Sequence, residues 1–175
     1  MSSRMKREIV DFAKTIAYFL VIFYCMRTLI IEGFEIEGSS MEPTIFEGER
    51  VLVLKFPYHF TNIERGDLVV FKYPKDEHRR FVKRAIAVGG DLVRIESGIV
   101  YVNGVKVEEE YVSDKFLRRT EHLAEQRVPE DCYFVLGDHR NVSSDSRSWG
   151  FVPRKCIIGK ATFRFWPPQK LGVVE

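Results

Sequence analysis

Apolar and polar residues fall into two regimes along the chain. From Thr15 to Met26 the run TIAYFLVIFYCM carries no charge, and after Arg27 it resumes as TLII. A basic amphipathic lead containing Arg4, Lys6, Arg7 and Lys14 precedes it. Taken as one unit, residues 9–31 predict a helix long enough for about 30 Å of hydrocarbon, with Lys14 and Arg27 near its ends, where long side chains reach the interface. A removed leader would show an Ala-x-Ala-like site soon after the apolar run, and IIEGFEIEGSS has none. A buried core helix is the competing reading, because the strictly apolar run is short. A retained single membrane anchor fits better. It leaves residues 1–8 in the cytoplasm and residues 32–175 on the other side.

Beyond the anchor the period changes to two. Glu49–Phe56, Gly66–Tyr73, Arg80–Val88 and Asp91–Glu96 read as strands. Ser97-Gly98 and Asn103-Gly104 bracket a short strand at Ile99–Val102, and a strand at Val105–Val107 completes a hairpin. Asp131–Leu136 and Ile157–Trp166 follow, and Pro167-Pro168 ends the set. Residues 113–127 are charged without strict period and are expected to form an exposed loop or a short helix. The predicted fold is mainly β: one N-terminal helix followed by a compact, antiparallel, barrel-like β domain.

Composition narrows the function classes. The chain has 175 residues, 45% of them hydrophobic and 30% charged, which excludes a disordered, fibrous or polytopic membrane protein. A formal net charge of +2 supplies no basic footprint for nucleic acid. Cys25, Cys132 and Cys156 are far apart and form no C-x-x-C, so neither a disulfide framework nor a structural zinc site is implied. Cys132 and Cys156 are either two free buried thiols or a bridge in an oxidising compartment.

Three stretches carry candidate chemistry. GSSMEPT (Gly38–Thr44) is either a Ser/Gly linker or a turn that backs Ser40 with the apolar Met41. In the strand around Lys83, alternation puts Phe81, Lys83, Ala85 and Ala87 on one face and Val82, Arg84, Ile86 and Val88 on the other. Each face is apolar apart from one cation. Periodicity leaves open which cation is buried, but only a lysine can lose its proton when desolvated and so act as a base. GDHRNVSSDSRSWGFVP (Gly137–Pro153) is denser in Ser, Asp and Arg than a turn requires. Within it Asp138, Asp145 and Arg147 can fix a loop by charge-assisted bonds. Serine with lysine as base is an activated-nucleophile arrangement. His59, His78, His122 and His139 sit in no serine-hydrolase context, and His139, beside the polar loop, is the one histidine that stays a candidate. There is no H-E-x-x-H, phosphate loop or dinucleotide fingerprint.

At these residues the chain resembles the bacterial type I signal peptidases, in an ordered series of blocks. The series runs from the anchor through GSSMEPT, RGDLVVF (Arg65–Phe71) and FVKRAIAVGGD (Phe81–Asp91) to the Gly137–Pro153 loop. The resemblance implies Ser40 as nucleophile, Lys83 as general base and Ser143 as the serine that orients the lysine amine. It implies Asp145 and Arg147 as a loop-supporting pair, with Asp138 also structural. It further implies that Phe34, Ile36, Met41, Ile45, Val51, Phe81 and Val82 line pockets for small substrate side chains at −1 and −3. One departure concerns the oxyanion hole. Some members carry a serine two residues before the nucleophile, and here that residue is Gly38. The Ser40 N–H then remains as donor, with the Gly38 amide or a water as the second. His139 and Val142 also depart from a loop that often carries Asn.

The function so implied is that of a serine endopeptidase of the cytoplasmic membrane. Its active domain faces outward, and it cuts signal peptides from secretory preproteins at the bilayer surface, without metal or cofactor. A peptidase specialised for pilus or conjugative-transfer proteins fits the same motifs. A peptide-binding module that does not cleave would have no need of Ser40, Lys83 and Ser143 together.

Overall fold

No glycine or proline interrupts residues 1–32, and the N-terminal run accordingly folds as one continuous helix, α1 (Ser3–Ile30). The computed structural model describes residues 3–55, 63–117 and 120–174, with no side-chain description for residues 3, 4, 6, 25–29 and 114. Every side chain from 7 to 24 is exposed, including Phe12, Phe19 and Phe23. Among the described residues no helix is long and apolar enough to cross a membrane. The helix expected at 9–31 is present as far as Ile30.

α1 passes directly into β1 (Ile31–Glu35), a strand that the helical reading of residues 9–31 had overlapped. There follow β2 (Arg50–Leu54), β3 (Leu68–Tyr73), β4 (Asp76–Val88), β5 (Leu92–Glu96), β6 (Ile99–Val102), β7 (Val105–Lys106) and β8 (Leu123–Arg127). The chain then forms β9 (Cys132–Leu136), a one-turn helix α2 (Ser146–Trp149), β10 (Val152–Pro153), β11 (Ile157–Trp166) and β12 (Gly172–Val173). Period-two segments became strands because alternate residues reach a core: β2 and β6 both bury every second side chain. At Ser97-Gly98 and Asn103-Gly104 both residues have positive φ, as tight hairpin turns require.

The strands form two sheets. The larger runs β1-β2-β11-β3-β4-β9-β10 with β12 beside β11, and the smaller runs β7-β6-β5-β8. The larger sheet curls until its edge strand β1 approaches the first half of β4, where Arg80 Nη1 donates to Glu32 Oε1 at 2.7 Å. Inside the curl lie Ile36, Met41, Ile45, Val51, Val53, Leu68, Val70 and Val82. A second cluster, including Ile86, Phe134 and Leu136, joins β4 and β9 to Val93, Val100 and Val102 of the small sheet.

Two expectations change, and one open alternative is decided. Residues 113–127 contain a single 3-10 turn at Asp114–Phe116 and then the edge strand β8. The side chains of β8 are mostly exposed, so no alternation marked it. Pro167-Pro168 does not end the sheet, because Gly172 and Val173 return to pair with Arg164 and Phe163. Cys132 and Cys156 are both free thiols. Phe56 and His59 lie outside the described residues.

Candidate active site

The segment joining β1 to β2 is anchored by its apolar residues. Met41 and Ile45 are fully buried in the curl of the large sheet, and the Ile45 N–H donates to the Met41 carbonyl at 2.9 Å. Between these anchors and Gly38, whose φ is +80°, Ser39 and Ser40 are held at the surface of the core. GSSMEPT is thus a fixed turn, not a linker.

β4 supplies the opposing group. Lys83 and Arg84 point to opposite sides of the strand, and both are buried, each with 3% exposure. The alternative of one buried cation and one solvated cation does not hold. Each charge has its own partner in the interior. Lys83 Nζ donates to Ser40 Oγ at 2.5 Å. Arg84 donates through Nε and Nη2 to the two carboxylate oxygens of Asp138, at 3.0 and 2.7 Å. Burial pulls the Lys83 amine down from its ordinary 10.5 to about 8, with Arg147 pushing the same way and Asp145 and Asp138 opposing. A serine hydroxyl in contact with an amine whose hold on its proton is weakened by burial is an arrangement that can activate a nucleophile.

The loop after β9 holds both partners. Asp145 takes a fork from Arg147, with Nε and Nη2 at 2.8 Å each, and accepts the Gly137 N–H at 3.1 Å. Arg147 Nη2 also donates to the Arg140 carbonyl at 3.0 Å. Asp138 is 1% exposed and accepts the Thr44 hydroxyl at 2.5 Å, which ties the β9 loop to the serine turn. The His139 N–H donates to the Ser40 carbonyl at 3.1 Å. Gly137 is required by contact: a Cβ there would lie 2.2 Å from Ser143 Oγ and 2.5 Å from the Ser40 carbonyl oxygen.

Ser143 behaves differently from expectation. Its Oγ is buried beside Gly137 and the Ser40 main chain but has no hydrogen-bond partner among the described residues, so the anticipated bond to Lys83 is not made. The oxyanion donors also divide. No described residue accepts a hydrogen bond from the Ser40 N–H, whereas the Gly38 N–H donates to Glu47 Oε1 at 3.2 Å.

A groove of about 630 Å3 runs up to the pair, walled on one side by β1 and the serine turn and on the other by β4 residues 78–83. Of the seven apolar residues expected at its pockets, Phe34, Phe81 and Val82 line it. Ile36, Met41, Ile45 and Val51 instead lie in the core beneath. β9 pairs with β4 only from Arg84 onward, so residues 81–83 present an open strand edge to the groove, and β1 is itself an edge strand.

The sequence reading missed several supporting residues. The Arg84 guanidinium lies 3.8 Å from the Tyr111 ring centroid, Tyr111 donates to Glu109 at 3.0 Å, and Arg140 pairs with Glu109. Partners such as Arg84 and Asp138 are 54 residues apart. No local spacing announces such a cluster.

Comparison with known proteins agrees with this geometry. Residues 9–166 match the family described as "Signal peptidase, peptidase S26". "Probable signal peptidase I-2" of Synechocystis is 38% identical over 169 residues, which cover 94% of this chain and 76% of the relative. "Signal peptidase IB" of Staphylococcus aureus is 36% identical over 178 residues, covering 93% and 92% respectively. A crystal structure of a signal peptidase I from Enterococcus faecalis aligns with a TM-score of 0.51 at 32% identity, covering 58% of this chain and 98% of that one. With a buried lysine against a serine at the end of a peptide-sized groove, and with relatives of this identity over nearly its whole length, the chain belongs to the signal peptidase family, peptidase S26, and is a hydrolase of peptide bonds.

Proposed function

We propose that the chain removes signal peptides from secretory preproteins, using Ser40 as nucleophile and Lys83 as general base. The contact of 2.5 Å between Lys83 Nζ and Ser40 Oγ, made by a lysine that burial brings down to about 8, carries this reading. The extended cleavage region of the preprotein adds as a strand between β1 and β4, using main-chain bonds to the open edge at residues 81–83. Side chains at −1 and −3 meet Phe34, Phe81 and Val82, above the packed apolar core.

Neutral Lys83 takes the Ser40 proton as Oγ bonds to the −1 carbonyl carbon. The carbonyl oxygen becomes an oxyanion and accepts the Ser40 N–H. When this adduct collapses the C–N bond breaks. Lysinium gives its proton to the leaving amine, and an ester to Ser40 remains. A water deprotonated by Lys83 then attacks the ester, the signal peptide leaves with a new carboxylate, and the proton returns to Ser40 Oγ. Asp145, Arg147 and Asp138 act by holding the loop that carries Gly137 and His139, and Ser143 packs beside them.

α1 attaches the domain to the cytoplasmic membrane. Its exposed Phe, Leu, Ile and Val side chains favour lipid over water, and the basic residues before them favour the cytoplasmic side. In this reading residues 1–8 lie in the cytoplasm, the helix from residue 9 to Ile30 lies in the bilayer and the strands from Ile31 onward lie outside, with the groove near the surface where signal peptides emerge.

The direct test is cleavage of a preprotein by detergent-solubilised wild type beside Ser40→Ala. Wild type cuts after a small residue and the variant does not. Equal cutting by both sinks the nucleophile assignment. Gly137→Ala should lower cleavage by ~10²-fold, as expected of a misplaced reacting group, because its Cβ displaces Ser143 and the Ser40 carbonyl together. Unchanged turnover in that variant would mean that the close approach is not needed.

A further inference from the structure

We infer that His139 is a positioning residue that aims the Ser40 N–H into the oxyanion hole. The inference rests on the reading of Ser40 as nucleophile given above. Both peptide units flanking Ser40 are held by this one residue. The His139 N–H donates to the Ser40 carbonyl at 3.1 Å, and its ring Nδ1 lies 3.2 Å from the Ser39 carbonyl oxygen. A carbonyl only accepts, so Nδ1 carries the hydrogen and donates it.

The consequence follows from peptide geometry. The unit joining Ser39 to Ser40 is planar and trans, so its C=O and N–H point in opposite directions. Fixing the Ser39 carbonyl against His139 therefore fixes the direction of the Ser40 N–H, the donor for which no described residue competes. The Glu42 N–H also donates to the Ser39 carbonyl, at 3.2 Å, closing a turn. That bond comes from within the serine turn and moves with it, whereas His139 references the carbonyl to the separate loop after β9. The ring is itself immobilised. Its centroid is 4.1 Å from that of Phe116, Glu42 lies 3.9 Å from Nδ1, and the side chain is only 15% exposed. This matters more here than in a relative with a serine two residues before the nucleophile. Gly38 offers no side-chain donor, and its amide is engaged by Glu47. The oxyanion thus depends on the aim of a single N–H.

The test compares His139→Phe with His139→Asn. Phenylalanine keeps a ring against Phe116 and deletes the donor. Asparagine places Nδ2 where Nδ1 stood and restores it. Deleting an oxyanion donor costs ~10²–10³ in turnover, and losing its aim should cost less, about tenfold. His139→Phe should therefore lower kcat about tenfold with KM unchanged. It should weaken a peptide boronate ending in alanine, which forms a tetrahedral adduct on Ser40, by the same factor. His139→Asn should recover most of both losses. Wild-type kcat in His139→Phe overturns the inference, as does a loss that appears in KM or that asparagine fails to rescue. Ser40→Ala run alongside separates the two readings. If it is inactive while His139→Phe keeps wild-type kcat, only this inference fails; if it is active, the nucleophile assignment fails first.

Discussion

Lys83→Arg and Lys83→Met are each expected to lose ~10³-fold or more of preprotein cleavage, in the range measured when a positioned general base is removed. Arginine keeps the charge and the reach but cannot release its proton at any working pH. Methionine keeps the packing and has no basic nitrogen. Activity in Lys83→Arg would mean that the proton is taken elsewhere. The pH profile follows from the same group. The base works as the free amine, so kcat/KM should rise with pH and level off above about 8, where the buried amine has lost its proton.

Stability moves with pH in a direction that burial dictates. Below about 8 the amine is charged in both folded and unfolded chains, and the fold carries the full cost of burying it. Between about 8 and the ordinary 10.5 the folded protein has released the proton while the unfolded chain still holds it. Stability therefore rises with pH across that window. Lys83→Met should be more stable than wild type at neutral pH by up to ~3 kcal/mol, at about 1.4 kcal/mol per pH unit. An inactive protein that melts higher than wild type separates loss of chemistry from loss of fold. A Lys83→Met variant that melts several degrees lower would contradict the burial argument.

Asp138→Ala should destabilise the domain by ~3–5 kcal/mol, the usual cost of removing one member of a buried ion pair. The carboxylate is 1% exposed. It receives two N–H groups from Arg84 and the hydroxyl of Thr44. Alanine leaves a 3%-exposed guanidinium without that carboxylate and cuts the link between the serine turn and the β9 loop. In thermal unfolding the midpoint should fall by ~6–20 °C, at about 2–4 °C per kcal/mol for a chain of this size. A shift of a degree or less would show that Arg84 is satisfied without Asp138. At temperatures where the variant is folded, its pH profile should move toward acid, because Asp138 is one of the two charges that hold the Lys83 amine up.

The chain's local patterns were sufficient for its longer strands and tight turns, and not for β1, β8, β10, β12 or the one-turn helix α2. Alternation located β2, β5 and β6, which put every second side chain into a core, whereas β3 and β9 bury four consecutive residues and showed as short apolar runs; the two tight turns followed from Ser97-Gly98 and Asn103-Gly104, whose residues all take positive φ. The residue types around Ser40 and Lys83 left alternatives open, the resemblance of the ordered blocks singled out both residues, and the structure sets them in contact. What local pattern could not contain was anything decided by a partner far along the chain. β8 is an edge strand held by β5 and so needs no alternation. Ile36, Met41, Ile45 and Val51 were read as pocket lining but form the floor of the core, because the large sheet curls over them. Lys83 and Arg84 are both buried, since opposite faces of β4 each meet an acceptor, one in the serine turn and one in the β9 loop. Adjacent residues of the sequence thus determined the strand and the two cations. Only the meeting of segments 40 to 55 residues apart decided that one cation faces a serine hydroxyl and the other a carboxylate, because the surroundings of a buried charge are set by the group brought against it.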